Sequence, residues 1–215
     1  MSFMKRRLFL SIFLFILILT GAGTTFCEVT VGVQKGDWIE YKVDFTGTPP
    51  EGHEVTWARS EVVDVQGKVV SLNITTEFSN GTLLNESIDL NLETGQLGDD
   101  FIIPANLNVG DTFSDSYHGV VEINATEERS YIGSIRKVIT ATAAGNKYYW
   151  DQTTGILVEG LSQFQDYSIH SIADKTNIWE PQLLGLPTTT FYILLTAATA
   201  IIALAAILFA LRRKK

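Results

Sequence analysis

His53-Glu54 opens the pentapeptide HEVTW, which begins like the His-Glu-x-x-His pattern of zinc proteases. That pattern sets two histidines one helical turn apart so that both rings reach one zinc ion, with the glutamate as general base. Here Trp57 stands where the second histidine would be, and the segment alternates as a strand does. His118 and His170 are distant in sequence from His53 and from each other, and they read as polar surface or satisfied core residues. Asp99, Asp100, Asp111 and Asp115 offer oxygen ligands suited to calcium but lack the spacing of an EF-hand loop, so they read as a solvated acidic face. Neither a Gly-x-Ser-x-Gly nucleophile turn nor a phosphate-cradling glycine loop occurs. Cys27 is the one cysteine, which rules out a paired-cysteine zinc site and an intrachain disulfide. No catalytic residue, metal site or cofactor is therefore expected.

Modification chemistry is better represented. Asn73, Asn80, Asn85 and Asn124 each head an Asn-x-Ser/Thr sequon and are candidate N-glycan acceptors in an exported domain. Three of them crowd onto one expected hairpin, 73 to 87. Asn73 lies opposite the Val70-Leu72-Ile74 face and Asn85 groups with Ser87, Asp89 and Asn91, so alternation puts both on a wet surface.

Charge is unevenly placed. Of the 16 Lys and Arg residues, seven sit in two terminal clusters, Lys5 to Arg7 and Arg212 to Lys215; the nine that remain face 24 acids, a net of −15 between residues 28 and 187. A domain that acidic repels phosphate backbones, which excludes nucleic acid as a partner.

The terminal clusters flank apolar runs. Lys5 to Arg7, the short apolar stretch Leu8 to Thr20 and the small residues of GAGTT read as a signal peptide over 1–27. Thr24, Thr25 and Phe26 lack the character of a lipobox, so a lipidated Cys27 is not expected. At the other end, 191–211 holds 21 residues without a charge, and a membrane-spanning helix needs roughly 20. The basic tail 212–215 follows at once, and the positive-inside rule assigns it to the cytoplasm and a domain over 28–180, with a linker 181–190, to the outside. Leu186 to Thr190 resembles the pentapeptide of sortase-type anchoring, except that Thr190 stands where Gly is expected; a retained helix is the expectation. Thr196, Thr199, Ala203, Ala206 and Ala210 share one helix face, on which a partner transmembrane helix or a second copy, as a homodimer, can approach closely.

Between these ends the elements are strands. Ile39, Tyr41, Val43 and Phe45 alternate with Glu40, Lys42 and Asp44, and further runs cover 54–65, 70–78, 83–92, 118–127, 134–142, 147–151, 156–161 and 164–173. Turn residues separate them, most clearly Asn80-Gly81, and FIIPANLNVGD at 101–111 reads as a crossover or a single helical turn. The expected fold is mainly β: an antiparallel curved sheet, half-barrel or sandwich of about nine strands, plus one C-terminal transmembrane helix.

Gly36-Asp37-Trp38 at a strand start, the YYWDQTTGILVE hairpin, the sequons and the helix with its basic tail together resemble uncharacterised archaeal cell-surface proteins with one β-rich ectodomain. The hairpin is also similar to those of extracytoplasmic half-barrel domains of the lipoprotein-carrier kind, a resemblance that implies a concave sheet holding an apolar ligand. Two functions follow as expectations. One is a membrane-anchored, non-catalytic binding or surface-structural module that meets a lipid or an envelope partner; the other is an extracytoplasmic hydrolase with an unrecognised site.

Overall fold

The computed structural model describes residues 29–50, 52–95 and 101–213. The expected signal peptide, Cys27, Asp99, Asp100, Lys214 and Lys215 lie outside them. Eleven longer strands follow one another: β1 (Trp38–Gly47), β2 (Val55–Gln66), β3 (Val69–Phe78), β4 (Leu83–Asn91), β5 (Thr112–Asp115), β6 (Gly119–Glu122), β7 (Ala125–Tyr131), β8 (Ser134–Ala143), β9 (Asn146–Asp151), β10 (Leu157–Gln163) and β11 (Tyr167–Thr176). Two short strands, β12 (Gln182–Leu183) and β13 (Leu186–Pro187), precede the helix α1 (Thr188–Arg213).

Nine strands form one antiparallel sheet in the order β4-β3-β2-β1-β11-β10-β9-β8-β7. It consists of two meanders, β1 to β4 and β7 to β11, joined where β1 pairs with β11. The mainly β fold and its nine antiparallel strands match expectation, and the nine belong to a single open sheet whose edges are β4 and β7. Period-two alternation positions the residues: Ile39, Tyr41 and Val43 of β1 are buried, while Lys42 and Asp44 on either side of Val43 are exposed.

The inward face is covered over part of its area by the excursion between β4 and β7. Segment 101–111 contains turns and no helix; it lays Ile102, Ile103, Ala105 and Leu107 against the sheet. Backbone bonds stitch it to the turn after β9: Ile103 N to Gly155 O at 3.0 Å, Leu157 N to Phe101 O at 2.8 Å and Asn106 N to Gln152 O at 2.7 Å. Gly155 is required there, because its φ is +72° and a Cβ would sit 2.1 Å from the Ile103 carbonyl oxygen. The β5–β6 hairpin completes the cover, with Phe113 edge-on to the fully buried Trp150 at 5.6 Å between ring centroids. Such a pair contributes about 0.5–1.5 kcal/mol beyond its buried area.

The structure divides the segment 118–127, expected as one strand, into β6 and β7, which belong to different sheets. Ile123 is fully buried between them and exchanges backbone bonds with Asp111 and Gly110, after which Asn124 N bonds Thr140 O and the chain joins the main sheet. Helix α1 starts at Thr188, ahead of the expected 191, because Glu180 accepts bonds from the Thr189 amide (3.3 Å) and hydroxyl (2.6 Å). A carboxylate at that position also complements the positive end of the helix dipole. Residues 181–187, expected as a linker, form the β12–β13 ladder, docked through Gln182 N to Gly133 O at 2.7 Å.

Helix α1 is long and apolar enough to cross a membrane, and none of its apolar window is buried against the rest of the protein.

Candidate functional site

The excursion leaves part of the inward face of β1 to β4 and β11 open, and an elongated trough of about 430 Å³ lies there. Its floor comes from inward positions of adjacent strands: Tyr41 and Val43 of β1, Val55 and Ala58 of β2 on either side of a register shift, Ile74, Thr76 and Phe78 of β3, Leu84 of β4, and Ile169 of β11. Phe101, where the cover begins, forms one wall; its ring centroid is 5.6 Å from that of Tyr41. The volume falls in the ~300–1,000 Å³ range of pockets that bind small molecules.

Polar groups are few. Thr76, Ser171, His53 and Glu86 reach the trough. His53 Nδ1 lies 2.8 Å from the Tyr167 hydroxyl, and Tyr167 stacks on Phe164 at 4.3 Å between centroids. Glu86 pairs with Ile74 across the β3–β4 ladder and alternates in phase with Leu84, Ile88 and the fully buried Leu90, so it stands on the apolar face of an edge strand. Among the described residues, Glu86 and His53 are the charged or chargeable side chains lining the trough, and no Lys or Arg does so. The structure gives His53 a hydrogen bond to Tyr167, not one to Ser171 or Glu86, so a serine–histidine–carboxylate relay is not assembled here.

Antiparallel pairing puts the start of β1, the end of β11 and the β7–β8 turn at one end of the sheet, where β12 and β13 dock and α1 departs. The trough lining reaches toward the other end, where β2, β4 and β11 begin.

The three histidines flagged by the sequence occupy three separate places. His53 lines the trough, His118 Nδ1 is 2.9 Å from Asp115 in the β5–β6 hairpin, and His170 Nε2 is 3.1 Å from Glu159 on the outer face. Asp111 and Asp115 cap turns, accepting bonds from the amides of Asn108 (2.7 Å) and His118 (2.6 Å) respectively. Among the described residues no group of three or more His, Cys, Asp or Glu side chains is placed to hold a metal ion.

Glu159 gathers the densest polar cluster. It accepts Arg129 Nη1 at 2.7 Å and the Tyr131 hydroxyl at 2.6 Å besides its contact with His170, and Arg129 also lies 4.1 Å over the Tyr149 ring. Burial, then the bond to Glu159, pushes the Tyr131 hydroxyl well above its usual range and keeps it a donor. With both oxygens of Glu159 occupied, the cluster ties β7, β10 and β11 together rather than presenting a free base.

Asn73, Asn80, Asn85 and Asn124 are all exposed. Asn73 accepts from Ser87 and Asn85 from Thr75, both at 2.7 Å, on the outer face of β3 and β4. Thr196, Thr199, Ala203 and Ala206 are exposed along α1, which also contains Ala210; the Thr196 and Thr199 hydroxyls bond carbonyls one turn back in the same helix. Sequence reasoning missed Glu86, Phe78, Leu84 and Ile169 as a site. The signal available was the in-phase alternation of Leu84, Glu86, Ile88 and Leu90. No protein-family model matches the chain, and a search of curated proteins finds no match.

Proposed function

We propose that this protein is a membrane-anchored, non-catalytic binding module that stands outside the cytoplasm and holds the apolar part of a ligand in the trough. The observation that carries the reading is the open apolar face between Tyr41, Ile74, Leu84 and Ile169, about 430 Å³, with few polar groups in its lining. An apolar face left open on a sheet costs hydration free energy that a bound chain recovers, at about 25 cal/mol per Å² removed from water. Support for the placement comes from the basic residues after α1, the acidic balance of the domain and the exposure of the four sequon asparagines. Helix α1 retains the module at the membrane.

The test is to purify the intact protein from its own membrane and identify what copurifies. The reading expects a molecule with a long apolar part, enriched over an unrelated single-span protein and depleted when the trough is filled by Thr76→Trp. Recovery of bulk membrane lipid alone, in equal proportion with both proteins, would overturn it. Sidedness is checked by adding protease to intact cells, which should remove the domain; full protection contradicts the placement.

A further inference from the structure

We infer that the ligand is an amphiphile whose head donates hydrogen bonds and bears no negative charge, a hydroxylated or ammonium head rather than a carboxylate or phosphate. The inference rests on the apolar-trough reading and names its ligand class. It starts from Glu86, whose register with Ile74 puts a carboxylate on the apolar side of β4, in phase with Leu84. Glu86 is exposed, and no Lys or Arg lines the trough to pair with it.

An anionic head entering the trough beside Glu86 would meet a like charge, and no Lys or Arg of the trough lining offsets it. The surrounding domain adds to the repulsion, since 24 acids face nine bases between residues 28 and 187. A hydroxyl or ammonium instead supplies the donor that Glu86 can accept, and bonds to an ionised acceptor are the strong ones. Thr76 and Ser171 offer hydroxyls that serve as donor or acceptor to the same head. Discrimination therefore comes from a repulsive element as much as an attractive one.

An inward charge on an edge strand also guards against edge-to-edge pairing. The two roles separate cleanly, because edge protection affects aggregation and leaves head-group preference untouched.

The experiment uses the full chain in phosphatidylcholine nanodiscs, corrected against empty discs, with a lipophilic fluorescent probe displaced by laurate, monolauroylglycerol or dodecylamine at neutral pH. Monolauroylglycerol and dodecylamine are expected to displace the probe at concentrations about tenfold or more below laurate. Glu86→Gln should shrink that ratio toward one, while Glu77→Gln, on the outer face of β3, should preserve it. Equal or better displacement by laurate overturns the inference, as does a ratio that survives Glu86→Gln. Displacement by all three heads without preference defeats the head-group inference alone; displacement by none defeats the trough reading beneath it.

Discussion

The Tyr41 hydroxyl donates a 2.8 Å hydrogen bond to the Leu157 carbonyl, joining β1 to β10 over the intervening β11. Neighbouring strands lie about 4.8 Å apart, and the long tyrosine side chain laid along the inward face reaches past β11 to the next-nearest strand. Tyr41 and Leu157 both line the trough, so the bond ties together two strands of its floor. Burial pushes the Tyr41 hydroxyl far above its usual range, so it is a neutral donor.

Removing that hydroxyl should be costly and should change the alkaline response. Tyr41→Phe leaves the Leu157 carbonyl short of a partner and is expected to lower stability by about 1–3 kcal/mol at neutral pH. Because the folded-state pKa is raised, the folded protein holds a proton that the unfolded chain releases above about pH 10. Stability from this group is complete below that pH and declines as pH rises above it. Denaturant titrations at pH values on both sides of about 10 should show a shallower alkaline decline in Tyr41→Phe. Equal stabilities with equal slopes would remove the bond from the account.

Gly155 should be the least replaceable glycine among those in turns. Alanine there meets the Ile103 carbonyl oxygen at 2.1 Å while also holding φ at +72°. Gly155→Ala is expected to cost about 2–5 kcal/mol and to loosen the segment that covers the inward face. Gly145→Ala in the β8–β9 turn has the same handedness problem, with φ +84° and nothing within 4 Å, and should cost only about 1–2 kcal/mol. Thermal unfolding of the two variants side by side decides the point; similar losses would mean that the cover is not held by close backbone packing.

The proposed association of α1 with a partner helix makes a directional prediction. Ala203→Leu with Ala206→Leu should weaken association in a two-helix membrane reporter, because bulk on the small-residue face keeps backbones apart. Ile202→Leu with Phe209→Leu changes residues off that face and should have little effect. If both pairs behave alike, the helix serves only as an anchor.

The sheet was legible because its strands alternate cleanly: Val70, Leu72 and Ile74 point in, and Ser71 and Asn73 between them do not. The membrane helix was legible from the uncharged run 191–211. The misplaced boundaries have nonlocal causes. Glu180 reaches Thr189 to start α1 early, and burial of Ile123 breaks the chain between β6 and β7. The β7–β8 turn is weakly marked, with Gly133 (φ +71°) its sole turn residue, because Ile132 at the other turn position adopts φ +53°, a conformation that β-branched residues avoid. The trough was invisible for a different reason. His53 meets Tyr167 across 114 positions of sequence, and attention to the polar set Asn85, Ser87, Asp89 and Asn91 hid the inward phase on which Glu86 lies.

The central claim is that the inward face of β1 to β4 and β11 binds an apolar chain. Titrating the full-length protein in nanodiscs with a lipophilic fluorescent probe tests it most directly, comparing wild type with Thr76→Trp, which fills the trough, and Thr75→Trp on the opposite face. The account predicts saturable binding by wild type and Thr75→Trp, and an affinity lower by about tenfold or more in Thr76→Trp. An absence of saturable binding to wild type, or undiminished binding to Thr76→Trp, would contradict it.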